Sequence, residues 1–164
     1  MRSAPLPTVS LWNPLWTILW SLLFTPVFGA LLQKKNWLEM GRLDEASRTG
    51  KWLTAGLILY FGYIFAEPFL PDSALSDFYF FILHIAFFAA WTVFDGIKQI
   101  RFVRTKYGTN YHRKLWGRPL MFAGMVMVLW MAISLTYVLG LILGGVVDPA
   151  VLQDAAQQTQ GAAR

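Results

Sequence analysis

The chain has 164 residues, of which 56% are hydrophobic, 16% aromatic and only 14% charged, and its mean hydropathy is +0.46; soluble domains run at roughly 45–50% apolar and ~25% charged. That balance excludes an ordinary soluble domain and intrinsic disorder, and the absence of cysteine excludes a disulfide scaffold, thiolate metal sites and thiol nucleophiles. A net charge of +5 would suggest nucleic acid in a soluble chain, but every lysine and arginine except Arg2 and Arg164 falls in two segments, which is a pattern of membrane topology.

Crossing ~30 Å of hydrocarbon takes about 17–25 apolar residues in a helix, and four stretches qualify in chain order. The first, 14–32, ends before Lys34 and Lys35 and is interrupted by Pro26, which leaves either a full crossing with a kink or a re-entrant hairpin. The second, 52–70, starts after Lys51 and carries Glu67 near its end; the third, 77–95, is bracketed by Asp77 and Asp95. The fourth, 120–147, is long enough to tilt, and it stops at Asp148-Pro149. No short alternating strands of a barrel are visible, so the expected fold is all-α: a polytopic membrane helix bundle of four transmembrane helices in one domain, 1–150, followed by a polar tail, 151–164.

Orientation follows from the loops. Lys34, Lys35, Arg42, Arg48 and Lys51 lie between the first two spans, and Lys98, Arg101, Arg104, Lys106, Arg113, Lys114 and Arg118 between the last two. The middle loop carries Glu67, Asp72 and Asp77 instead. The positive-inside rule makes both basic segments cytoplasmic and places both termini on the other side. Trp12, Trp16, Trp37, Trp52 and Trp116 fall near the expected boundaries, where indole rings favour the headgroup region. The seven basic residues from Lys98 to Arg118 are the expected contact for anionic headgroups or an acidic partner.

Small residues recur where membrane helices would pack closely: Thr17, Ser21, Thr25 and Gly29 along the first span, Gly140 and Gly144 on the fourth. The third span carries the strongest chemical hint. Asp77, His84 and Asp95 are seven and eleven residues apart, so at 100° per residue each step returns to within about 20° of one face. Such a stripe reads either as a proton path, which would need bridging groups such as Tyr60 or Tyr63, or as two interfacial aspartates with a histidine satisfying a core hydrogen bond. There is no Gly-rich phosphate loop, no His-Glu-x-x-His and no carboxylate cluster within the spans, and Ser134 lacks a flanking glycine that would open an oxyanion pocket. The expectation is a non-enzyme with no catalytic residues, no metal, no cofactor and no nucleic-acid partner.

The stretch Thr25-Pro26-Val27-Phe28-Gly29-Ala30, followed by Asn36-Trp37, and the later Tyr107-Gly108, Tyr111 and Trp116-Gly117-Arg118-Pro119-Leu120 resemble the Ser/Thr-Pro-x-Phe-Gly-Ala segment, Asn-Trp pair and cytoplasmic loop of a group of small bacterial inner-membrane proteins. The resemblance implies a bacterial inner-membrane location, and nothing about chemistry; the termini expected outside would then be periplasmic. The expected role is a partner-binding, accessory or protective membrane subunit, in contact with lipid and with another membrane protein or a second copy. The alternative is a small oligomeric proton-linked transporter or channel built on the span-three stripe.

Overall fold

Prolines decide how the chain begins to fold. The protein was studied as a computed structural model that describes residues 9–70 and 73–145. A two-residue strand, β1 (Ser10–Leu11), leads into α1 (Pro14–Leu23), whose Asn13 cap accepts the Leu15 N–H at 3.0 Å. The residue before a proline is pushed toward extended backbone, and Thr25 obeys with φ 175° and ψ 160°. Its hydroxyl then caps α2 (Pro26–Glu39) by accepting the Phe28 N–H at 3.4 Å. The stretch expected to cross over 14–32 is therefore two helices, about 15 and 21 Å long at 1.5 Å per residue, and neither alone spans ~30 Å.

These two helices fold back on one another. Ser21 on α1 lies against Gly29 on α2, where any Cβ would overlap Ser21 Oγ and the Trp91 ring. At the open end, Trp12 and Asn36 exchange two hydrogen bonds, 3.0 and 2.9 Å. The chain at β1 consequently lies beside the second basic segment: β1 pairs in parallel with β2 (His112–Arg113), Ser10 opposite His112 and Leu11 opposite Arg113. Of the two expectations for residues 14–32, a kinked single helix and a hairpin, the two helices folded back on one another have the geometry of the hairpin.

Gly41, at φ +69°, turns the chain from α2 into α3 (Leu43–Ala66). Asp44 and Glu45 in its first turn suit the positive end of the helix dipole. After a 3₁₀ turn (Glu67–Phe69), α4 (Ser73–Trp91) runs back along α3, passes through a π-helical turn (Thr92–Gly96) and continues as α5 (Ile97–Lys106). α6 (Gly117–Leu143) follows β2. The described fold is thus all-helical apart from the short strand pair, and the run Leu75–Lys106 and α6 are each long and apolar enough to cross a membrane. The chain divides into two compact units, Met1–Gly124 and Met125–Arg164; the second is described only along α6 and its closing glycines, and the sites below lie in the first. Arg2, Asp72, the end of the fourth span at 146–147 and the tail 151–164 lie outside the described residues.

The first unit buries polar groups together with apolar ones and leaves many large apolar side chains outside. Thr17, Ser21, Gln33, Asn36, Thr49, Asp95 and Gln99 are fully buried, while Leu15, Trp16, Leu19, Leu22 and Leu23 of α1, Ile58 and Phe65 of α3, and Phe78, Phe81 and Ile82 of α4 are exposed. Apolar packing concentrates around the π turn and the base of the hairpin: Leu11, Trp37, Met40, Ala46, Val103 and Tyr107 form one cluster, and Ile18, Ala30 and Trp91 another. Phe28, Leu32 and Ala123 form a third, ringed by Trp12, Trp20 and Trp116.

Candidate functional site

Gly29, Gln33 and Asn36 are spaced by four and three residues, which puts them on one face of α2. That face meets the end of α4, the π turn and α5. A π turn widens the helix by one residue and often marks a functional position. Here it contains Asp95 and Gly96, and Gly96 packs closely: a Cβ there would come within 2.9 Å of the tip of the Ile18 side chain and 3.7 Å of Gln33 Nε2.

The amides form a buried chain. Asn36 Nδ2 donates to Gln99 Oε1 at 3.1 Å as well as to the Trp12 carbonyl, and Gln99 Nε2 donates to the Gln33 carbonyl at 2.9 Å. Asn36 therefore holds β1, α2 and α5 at one point. The Gln33 carboxamide, the Trp91 indole N–H and the Thr92 hydroxyl are buried with no protein partner. Groups of this kind are costly unless a water or another polar group meets them.

Beside the amides, on the α3 side, lies a ladder of charge. Asp95 is fully buried; its Oδ1 accepts from Arg48 Nε at 3.2 Å and Nη2 at 3.1 Å, and its Oδ2 accepts from Thr49 Oγ1 at 2.6 Å. Arg48 also reaches Glu45 Oε2 at 2.8 Å, and Lys98 Nζ donates to both Glu45 oxygens at 2.7 and 2.8 Å. Burial pushes the Glu45 carboxyl up, but the Lys98 hydrogen bond and the Arg48, Lys98 and Arg42 charges outweigh it and hold it below the ordinary carboxylate value. With both oxygens occupied, Asp95 pins α3 to the π turn.

All three residues of the span-three stripe meet α3, at separate places. Tyr63 donates to Asp77, Tyr60 shares a hydrogen bond with His84 Nδ1, and Asp95 engages Arg48 and Thr49. Phe80 stacks on Tyr63 at 3.7 Å and meets Tyr60 edge-on at 5.8 Å. Between His84 and Asp95 the helix carries Phe87, Phe88 and Trp91, which pack with Trp52 and with one another.

Of the hairpin's small residues, Thr17 and Ser21 bond back to carbonyls four residues earlier, Asn13 and Thr17, at 3.1 and 2.7 Å; Gly29 meets Ser21, and Thr25 caps α2. In the second unit, a Cβ on Gly140 would meet no atom within 4 Å, and Gly144 bonds back to the Gly140 carbonyl as α6 closes. The basic residues divide: Lys98 is tied to Glu45, Lys114 to Glu39 at 2.6 Å, and Lys106 lies over the Phe102 and Tyr107 rings. Arg101, Arg104, Arg113 and Arg118 are exposed.

Among the described residues no group of histidines and carboxylates could hold a metal ion. An open, apolar groove of about 430 Å³ lies at the far end of α3 and α4, lined by Tyr63, Leu70, Leu75, Tyr79, Phe80 and Leu83. The amide chain Gln33–Asn36–Gln99 was missed by sequence reasoning; its one signal is the shared face of Gln33 and Asn36. Comparison with family models, with curated proteins and with solved structures gave no match.

Proposed function

We propose that the chain is a non-enzymatic integral membrane protein of a bacterial inner membrane, acting as a partner-binding, accessory or protective subunit. The observation that carries this reading is the surface of the first unit: leucine, phenylalanine and isoleucine side chains stand exposed along α1, α3 and α4, while amides, hydroxyls and a carboxylate share the interior with the apolar core. In water, that arrangement would expose apolar patches well beyond those of ordinary monomers; in lipid it is what backbone and side-chain polarity demand.

In this reading α1 and α2 form a re-entrant hairpin, while α3, α4 and α6 cross, three crossings in place of four. A proton-linked carrier is the second reading, favoured by the Tyr63–Asp77 and Tyr60–His84 pairs. Against it stand Phe80 between the tyrosines and the aromatic stretch before Asp95.

Affinity purification from native membranes, followed by proton-flux measurement in liposomes, separates the two. The subunit reading expects a stoichiometric foreign protein to co-purify and the purified chain to pass no protons. Flux from the purified chain that His84→Gln abolishes, with folding retained, would establish the carrier instead.

A further inference from the structure

The segment after β2 presents an apolar side chain in an unusual way. Lys114 and Trp116 turn toward the hairpin: Lys114 pairs with Glu39 and lies 4.5 Å from the Trp12 ring centroid, and Trp116 packs 6.4 Å from Trp20. Arg113 and Leu115, which alternate with them, are exposed instead. Leu115 is 87% exposed. It is nevertheless held in place, because Trp12 Nε1 donates to its carbonyl at 3.2 Å. The same Trp12 is followed directly by the outward stripe Leu15, Trp16 and Leu19 of α1, so Leu115 sits at the level where that apolar stripe begins. Arg113 and Arg118, both exposed, flank it.

We propose that His112–Arg118 is a lipid-interface anchor: Leu115 inserts among acyl chains while Arg113 and Arg118 bind the phosphate of an anionic lipid headgroup. The proposal rests on the membrane reading above and narrows the expected basic contact to two of its seven residues. Arginine suits the role because its planar fork meets phosphate oxygens in pairs. Lys98 and Lys114 already serve carboxylates, and Arg101 and Arg104, exposed on α5, carry equal charge and act as controls.

The chain has no cysteine, so Leu115→Cys and Arg104→Cys each carry a single environment-sensitive fluorophore in the full chain reconstituted into vesicles. The expected result is blue-shifted emission at 115 that a lipid-borne quencher extinguishes, with water-like emission at 104. In detergent, added phosphatidylglycerol should raise the melting temperature more than phosphatidylcholine or inorganic phosphate does. At about fivefold per basic residue near a headgroup, Arg113→Gln with Arg118→Gln should weaken phosphatidylglycerol binding by about 25-fold, and Arg101→Gln with Arg104→Gln should leave it within about twofold.

Water-like emission at 115 in protein that sits in the membrane overturns the proposal and leaves the membrane reading standing. Emission that is blue-shifted but not quenched from the lipid means burial by protein, and also overturns it. Equal effects from inorganic phosphate, or equal losses in the control pair, remove the lipid assignment. Protein absent from the membrane fraction defeats the membrane reading itself. If the double variant fails to fold, the label at 115 still decides.

Discussion

At the residue scale, the Asp95 ladder separates the cost of losing a charge from the cost of stranding one. Arg48 is 41% exposed on its side chain and has Glu45 as a second partner, whereas Asp95 is fully buried. Arg48→Leu leaves the Asp95 carboxylate inside with Thr49 alone, and removing one partner of a buried pair costs about 3 kcal/mol or more. Asp95→Asn keeps an acceptor for Thr49 and leaves Arg48 to Glu45 and solvent, so its cost should be about 1–2 kcal/mol. Unfolding free energies in detergent should rank Arg48→Leu as the more damaging; the reverse order would mean that Asp95 does not depend on that guanidinium. Glu45 adds a pH dependence of known sign. Its folded carboxyl titrates below the ordinary value of about 4.3, so its stabilisation is present at neutral pH and is lost as pH falls through that ordinary value toward the lower folded one. A melting-temperature profile from pH 7 to pH 3 should fall on the acid side, and Glu45→Gln should flatten that part of the fall which this carboxyl contributes.

At the element scale, the hairpin is closed at its mouth by one side chain and at its tip by one missing side chain. Asn36→Leu strands the Trp12 N–H and the Gln99 carbonyl oxygen and should cost about 2–4 kcal/mol. Hydrogen exchange should accelerate at Trp12, His112 and Lys114 while the middle of α3 keeps its protection; unchanged protection at those three amides would show that Asn36 does not hold the hairpin shut. Gly29→Ala forces Ser21 to rotate and the buried Trp91 ring to shift, for about 1–3 kcal/mol. The elements differ in how far they could be read from the sequence. The apolar runs of α4 and α6 were legible because hydropathy over twenty residues is a strong signal, and Pro26 announced a break in the first span. What Pro26 could not announce was the direction of the chain after the break. That direction depends on Asn36 meeting the Trp12 carbonyl and on Gln99 meeting the Gln33 carbonyl, contacts 24 and 66 residues apart, made by side chains that look like ordinary loop polarity in one dimension. The π turn was equally hidden, since its composition, Thr-Val-Phe-Asp-Gly, satisfies a helix as well as a bulge. Asp95 was read as one end of a stripe down a single helix, and its partners, Thr49 and Arg48, sit in a segment where basic residues already had an explanation in topology.

At the scale of the whole molecule, the proposed re-entrant hairpin would change the sidedness of the chain without changing the charge argument. If residues 14–32 crossed once, the N-terminus would lie on the side of the acidic turn after α3. In the proposed reading, the parallel pairing of Ser10 with His112 and of Leu11 with Arg113 instead keeps residues 10 and 11 beside the basic segment, on the side that the positive-inside rule would make cytoplasmic. Residues 10 and 11 and both basic segments would then share one side, with the turn after α3 on the other. The cysteine-free sequence makes this directly measurable. In intact cells, a membrane-impermeant maleimide should label Leu70→Cys, whereas Asp44→Cys, Asn110→Cys and a cysteine tag placed before Met1 should react only after the inner face is opened. Labelling of the tag together with Leu70→Cys would restore a full first crossing and dissolve the hairpin. Labelling of Asn110→Cys from outside would invert the proposed arrangement, hairpin included, because the strand pair carries residues 10 and 11 wherever that segment goes.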